Sequence, residues 1–312
     1  MLLKMRRIKK FWQLLFNKPS DILLWVMARS WFPITSERYI KYWYYFKTGE
    51  KLNLENPRTF NEKLQWLKLY DNNPDYTKMV DKYSVKELIA QKIGSEYVIP
   101  LLGVWETPED INFDSLPNQF VLKTTHGGGG GGVVICKDKT LFDTNNAKRI
   151  LSDSMRSDGS ILNKEWPYRD VPKRIIAEKY MVDESGHELK DYKFFCFNGR
   201  VQCYKVDYDR FISHKANYYG REYQLLPFGE VVCPADFSKV IEMPSNIDRM
   251  IELAEVLSKD IPFVRIDFYN IKGSIYFGEI TFFPAAGIGK FEPEEWDLIL
   301  GDWIKLPMDR KI

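Results

Sequence analysis

Cysteine and histidine are scarce in this chain of 312 residues, and that scarcity closes several routes to function. The four cysteines, Cys136, Cys196, Cys203 and Cys233, form no C-x-x-C pair and have no histidine-rich neighbourhood. They read as reduced thiols, neither a disulfide framework nor a zinc cage. No apolar run approaches the ~20 residues that cross a bilayer and no secretory leader is apparent, so a cytoplasmic protein is expected. Charge of one sign is missing too: 45 Lys and Arg against 43 Asp and Glu leave +2, which points to no nucleic-acid partner. No G-K-[ST] follows the one glycine cluster, which excludes a Walker A loop, and no helix opens there, which excludes a Rossmann turn. There is no repeat of solenoid length.

The length allows two or three compact units with a sizeable core, and the aromatic content argues against disorder. At the N-terminus Lys4, Arg6, Arg7, Lys9 and Lys10 interleave with Met5, Ile8, Trp12 and Leu15 at helical spacing. After Pro19-Ser20-Asp21 a second apolar segment, Ile22 to Met27, follows. Such a basic helix either lies in the interface of an anionic membrane or packs on the protein's own core, and both readings stand. The cluster Tyr39 to Phe46 carries the same choice, with burial preferred.

Phe60 to Tyr70 and Val85 to Ile93 read as helices, the second stopped by Gly94. Strands are expected at Val98-Ile99, Leu101 to Trp105, Phe120 to His126 and Val133 to Cys136, with a helical stretch from Phe142 to Ser157. Arg174 to Met181 and Asp191 to Val201 read as further strands, and the next carries Asp207-Tyr208-Asp209-Arg210. Ile247 to Leu257 is an amphipathic helix. The class is α+β, mostly antiparallel.

Between Phe120 to His126 and Val133 lie six consecutive glycines, Gly127, Gly128, Gly129, Gly130, Gly131 and Gly132. Glycine permits the φ angles and the close approach that let backbone N–H groups surround an anion, and Lys123 supplies a point charge beside them. Ordering such a run is entropically costly, which a bound ligand offsets. Nucleotide phosphate is the expected ligand.

Near the end, Val264, Ile266 and Phe268 alternate with Arg265, Asp267 and Tyr269. After a turn, Tyr276, Ile280 and Phe282 alternate with Phe277, Glu279 and Thr281. If Asn270 to Ser274 all form the loop of a hairpin, Arg265 sits opposite Glu279 with Asp267 as its diagonal neighbour. Carboxylates ~4 Å apart repel by roughly 4 kcal/mol at an effective dielectric near 20, which a divalent cation relieves. An ordinary cross-strand salt bridge is the alternative.

With these residues the chain resembles the ATP-grasp superfamily, and more closely its TupA-like branch, associated with teichuronopeptide and cell-surface polymer synthesis. The branch-specific likeness extends through Asn56 to Lys68 and Asp191 to Gly199. The resemblance implies an ATP-grasp fold of two α+β subdomains sandwiching ATP, with a helical N-terminal extension. It implies a basic segment over 1–50, a helical region over 51–115, a glycine-loop subdomain over 116–180 and a metal-bearing subdomain over 181–312. Lys123 then matches the phosphate-binding lysine, with Gly127 to Gly132 as the closing loop and His126 within reach of phosphates. Glu178, Lys179, Tyr180 and Met181 look like the adenine-reading hinge, and Asp191 is similar in place to the ribose-binding acid. Arg265 looks like the arginine that steadies the transferred phosphoryl group. Asp267 and Glu279 match the Mg²⁺ ligands, and Thr281 stands where many ATP-grasp enzymes carry Asn as a third.

The resemblance implies an ATP- and Mg²⁺-dependent carboxylate–amine ligase working through an acyl phosphate. Its partner would be a small-molecule or lipid-linked saccharide acceptor, with peripheral membrane contact through the N-terminal helix. Lys193, Arg210 and His214 are candidates for acceptor or phosphate contact, and His187, in a polar turn, is read as structural. A second reading stays open: Asp207-Tyr208-Asp209 is a D-x-D triplet of the kind that holds a metal and a sugar nucleotide in glycosyltransferases.

Overall fold

The computed structural model describes residues 19–28, 34–127, 131–157, 159–183, 186, 189–209 and 213–308. The basic segment before Pro19 lies outside the described residues. Helices α1 (Pro19–Ala28), α2 (Ser36–Thr48), α3 (Phe60–Tyr70), α4 (Asp75–Val80) and α5 (Ser84–Lys92) precede the first strand. α3 starts where a capping box dictates: Thr59 accepts from the Glu62 N–H and the Glu62 carboxylate accepts from the Thr59 N–H. The aromatic cluster of α2 divides, with Tyr39, Trp43 and Tyr44 buried and Tyr42, Tyr45 and Phe46 exposed. No helix of the described residues is long and apolar enough to cross a membrane.

Two larger antiparallel sheets and a two-stranded antiparallel ladder, β8 (Gly229–Glu230) with β11 (Phe291–Glu292), carry the rest. The first has strand order β1 (Leu101–Trp105), β4 (Ile175–Lys179), β2 (Phe120–Thr124), β3 (Val133–Cys136). Phe120, Leu122, Ile175 and Ala177 bury one face of it with Leu151 of α6 (Thr144–Met155). The second has strand order β10 (Ser274–Thr281), β9 (Phe263–Ile271), β5 (Asp191–Phe197), β6 (Arg200–Tyr208), β7 (Lys215–Gly220). On one of its faces Phe194, Tyr204, Ile266 and Phe268 join Met250, Leu253 and Leu257 in the main core. Those last three line one side of the helix Ile247–Ser258, at the spacing of an amphipathic helix. The opposite face is left for the charged residues that alternate with them.

Three expectations fail locally. Val98-Ile99 is not a strand: a short 3₁₀ turn, Ser95–Tyr97, leads into it, and Pro100 removes a donor just beyond. The run Asp191 to Val201 is two strands, folded back at Asn198 (φ 51°) and Gly199 (φ 78°). The last hairpin turns on Lys272 (φ 50°) and Gly273 (φ 80°), so Ile271 pairs with Ser274 and the expected five-residue loop does not form. Two residues at positive φ are the tight hairpin turn that matches strand twist.

Candidate functional site

That tighter turn alone would put Glu279 on the wrong face. With Ile271 opposite Ser274 and Phe268 opposite Phe277, an unbroken ladder sets Asp267 against Gly278. The register instead slips by one between Phe277 and Glu279, so that Asp267 faces Glu279 and Arg265 faces Thr281. Gly278 is the extra residue of a bulge, and a side chain there would meet the Asp267 carbonyl at 3.0 Å and the Tyr269 ring at 3.3 Å. The slip also corrects the reading of Phe277. It packs on Phe268 in the core, while Tyr276 stays half-exposed.

Arg265 therefore meets both acids, though not in the expected register. Its guanidinium donates from Nε and one terminal nitrogen to the two oxygens of Asp267, both at 2.7 Å. The same terminal nitrogen donates to Glu279 Oε1 at 2.9 Å, and the Thr281 hydroxyl donates to that oxygen at 3.4 Å. Asp267 is buried, whereas the Glu279 side chain keeps 42% of its surface exposed. Burial lifts the Asp267 carboxyl above its ordinary range despite Arg265, and Glu279 alongside adds to the rise. At Glu279 burial is outweighed by Arg265, then Lys82, Lys193 and Lys123, and the carboxyl is lowered.

The charged row continues across the sheet, since Asp267 is the register partner of Lys193, and Lys193 of Lys205. Lys193 bridges to Asp207 and reaches Asp191 at 3.5 Å, and Lys205 lies 3.0 Å from Glu230. Burial alone would raise the Asp207 carboxyl; Lys205 and Lys193, with hydrogen bonds from Lys193 and His214, bring it down to about 2. The His214 ring lies 2.8 Å from Asp207 through Nε2. Asp207, His214 and Cys233 present ligand atoms within 4.8 Å of one another. Two lysines already neutralise that carboxylate, which makes the place a poor one for a metal ion. The D-x-D pair does not converge either: Asp209 lies past the end of β6 and pairs with Lys239 at 2.7 Å.

On the first sheet Glu178 sits between Lys86, at 2.5 Å, and Lys123, at 2.7 Å. Burial opposes its charge, yet the two lysines hold its carboxyl at about 2. Glu178 is thus committed to lysines. The Lys179 N–H is bonded to the Pro100 carbonyl, and Tyr180 and Met181 follow half-buried and outside any strand. Lys82 donates to the Gly127 carbonyl, and Glu279, Lys123 and Glu178 all act on it electrostatically. The charged clusters of the two sheets therefore meet around Lys82. Sequence reasoning missed both Lys82 and Lys86. Their signal was two lysines four residues apart, one just before α5 and one in its first turn, beside Asp81, which anchors Arg174 at 2.7 Å.

The stem of the glycine loop is closed sterically as well as by hydrogen bonds. A Cβ at Gly132 would lie 2.2 Å from Thr124 Oγ1 and 2.3 Å from Ser154 Oγ, and one at Gly127 would lie 2.6 Å from Thr124 Oγ1. The Thr124 N–H donates to the Gly132 carbonyl, and His126 lies 3.2 Å from the Ser154 carbonyl. Gly131 has open space where a side chain would be. Gly128, Gly129, Gly130, His187 and Arg210 lie outside the described residues.

A model of the family described as TupA-like ATPgrasp matches residues 62–305. No curated protein matches the chain. Among solved structures, D-alanine–D-alanine ligase from Bacillus anthracis complexed with ATP is 16% identical, over 72% of this chain and 63% of that one, with a TM-score of 0.40. D-alanine–D-alanine ligase from Helicobacter pylori is 12% identical, over 78% and 69%, with a TM-score of 0.40. N5-carboxyaminoimidazole synthetase from Staphylococcus aureus complexed with ADP is 16% identical, over 65% and 44%, with a TM-score of 0.37. The chain spans less than two thirds of the length of the Bacillus anthracis ligase.

Proposed function

The chain belongs to the TupA-like ATP-grasp family, and from that premise we propose that it is an ATP-dependent carboxylate–amine ligase acting on a cell-surface polysaccharide or its precursor. The observation that carries this reading is the convergence of Arg265, Asp267 and Glu279 from one sheet with Lys123 and Glu178 from the other and Lys86 from α5, around Lys82. On the charged face of the second sheet Asp191, Asp207, Asp267 and Glu279 outnumber Lys193, Lys205 and Arg265, and Glu230 from a neighbouring two-stranded ladder adds a further carboxylate at Lys205. The carboxylate excess, with Asp267 raised by burial, fits a divalent cation. Asp267 and Glu279 would hold Mg²⁺, with the Thr281 hydroxyl beside them. Mg²⁺ would neutralise charge on the nucleotide phosphates.

In this account Lys123 and Lys86 exchange Glu178 for phosphate oxygens, and Arg265 moves part of its hydrogen bonding from the carboxylates to the transferred phosphoryl group. A substrate carboxylate oxygen attacks the γ-phosphorus and ADP leaves. The amine then attacks the acyl carbon, phosphate leaves and the amine gives up a proton. Positioning and charge neutralisation supply the acceleration. The amide forms on a uronic acid or amino acid acceptor, carried by a small-molecule or lipid-linked saccharide.

The test is ADP release with MgATP and a panel of uronic acids and amino acids in the presence of hydroxylamine, which converts an acyl phosphate to a hydroxamate. Hydroxamate formed in step with ADP supports the reading. Binding of MgATP without hydroxamate for any carboxylate contradicts it.

A further inference from the structure

Helix α3 turns three polar side chains into the core. Asn61, Gln65 and Lys68 are buried, at 6%, 0% and 3% exposure, and all donate to one loop. Asn61 Nδ2 reaches the Gly289 carbonyl at 2.8 Å, Gln65 Nε2 the Gly287 carbonyl at 2.6 Å, and Lys68 Nζ the Ala286 carbonyl at 2.7 Å. In that loop Ala285 (φ 48°), Ala286 (φ 54°) and Gly287 (φ 65°) are successively left-handed. A Cβ at Gly287 would come within 2.5 Å of Gln65 Nε2. Alanine is disfavoured in this conformation, and such strain persists only where surroundings over-determine it, most often beside a functional site. Burying a lysine to satisfy a carbonyl is a second cost in the same place.

The loop's position says which part of the reaction it serves. The sheet's charged face runs from Asp191 and Tyr269 at one end, through Lys193, Asp267 and Glu279, to Arg265 and Thr281 at the other. Strand β10 leaves the sheet at Thr281, and Pro284 follows three residues later. The loop therefore emerges at the Arg265 end, away from Asp191.

We propose that Asn61, Gln65 and Lys68 are positioning residues that hold Pro284–Gly289 as the acceptor-side wall of the reaction centre, presenting the incoming amine to the acyl carbon beside Arg265. This rests on the ligase reading above. The test compares the full chain with Gln65→Met and with the double variant Lys68→Met/Glu165→Gln. The second change removes the carboxylate that opposes Lys68, so no buried charge is stranded. Expected are faster amide exchange across 284–289, a fall in kcat of about 10²-fold, and KM and Kd for MgATP within about threefold of wild type. Equal losses in kcat and nucleotide affinity, unchanged loop exchange, or unchanged kcat would each overturn the proposal. A wild type that turns over no carboxylate and amine removes the ligase reading and this inference with it. Active variants beside an active wild type remove only the inference.

Discussion

Replacing Glu178 by Gln removes the carboxylate shared by Lys86 and Lys123 while keeping its shape. The carboxyl is brought from an ordinary 4.5 to about 2 in the folded protein. Each tenfold change in its acid dissociation constant corresponds to about 1.4 kcal/mol, so the ionised side chain stabilises the fold by about 3 kcal/mol at pH 7. That agrees with the roughly 3–5 kcal/mol lost when one partner of a buried ion pair is deleted. Because the folded pKa is depressed, the contribution is complete above about pH 4.5 and is lost as pH falls through about 2. The gap between wild type and Glu178→Gln should therefore narrow from about 3 kcal/mol at pH 7 to about 1.5 at pH 3. Urea unfolding followed by tryptophan fluorescence at both pH values measures it. A gap below about 1 kcal/mol at pH 7, or one constant to pH 3, would refute the reasoning.

Arg265→Met leaves Asp267 and Glu279 without their shared guanidinium and should lose about 3 kcal/mol in the absence of metal. Titrated Mg²⁺ should then raise the melting temperature of the variant more than that of wild type; an equal response would speak against a cation site between these acids. Deleting Gly278, the extra residue of the bulge, leaves Phe277 opposite Phe268 and Glu279 opposite Asp267 in a regular ladder, so MgATP stabilisation in a thermal-shift assay should persist; its loss would show that the bulge itself shapes the cation site. Gly278→Val keeps the bulge but presses on the Asp267 carbonyl and the Tyr269 ring, and should destabilise by about 1–3 kcal/mol in denaturant titrations.

Much of the site was legible because alternation in a half-buried strand sorts side chains by face, which is how Arg265 and Asp267 were paired with Glu279. The register was not legible. Two errors of one residue each, the turn at Lys272-Gly273 and the bulge at Gly278, compensate so that the same three residues meet with different partners opposite them. The glycine at 278 was the available signal, an isolated glycine inside a strand pattern. Lys82 and Lys86 carry no such signal, because lysines in a turn and on a short helix usually face water. Their role depends on contacts with Gly127 and Glu178, distant in sequence. Helix α3 was found with its full extent, Phe60 to Tyr70, yet its buried polar face was not read. Asn61, Gln65 and Lys68 share the face of Leu64, while Trp66 is buried on the other side, so the helix is enclosed nearly all round and a one-face periodicity argument expects solvent where there is none.

The most direct test of the central claim is a thermal-shift comparison of MgATP, ATP with chelator and a panel of UDP-sugars, in wild type, Glu279→Ala and Asp207→Ala. Expected is stabilisation by ATP that requires Mg²⁺, is lost or much weakened in Glu279→Ala, and has no counterpart with the UDP-sugars. Stabilisation by a UDP-sugar alone, retained in Glu279→Ala and abolished in Asp207→Ala, would contradict it and assign the nucleotide to the D-x-D triplet.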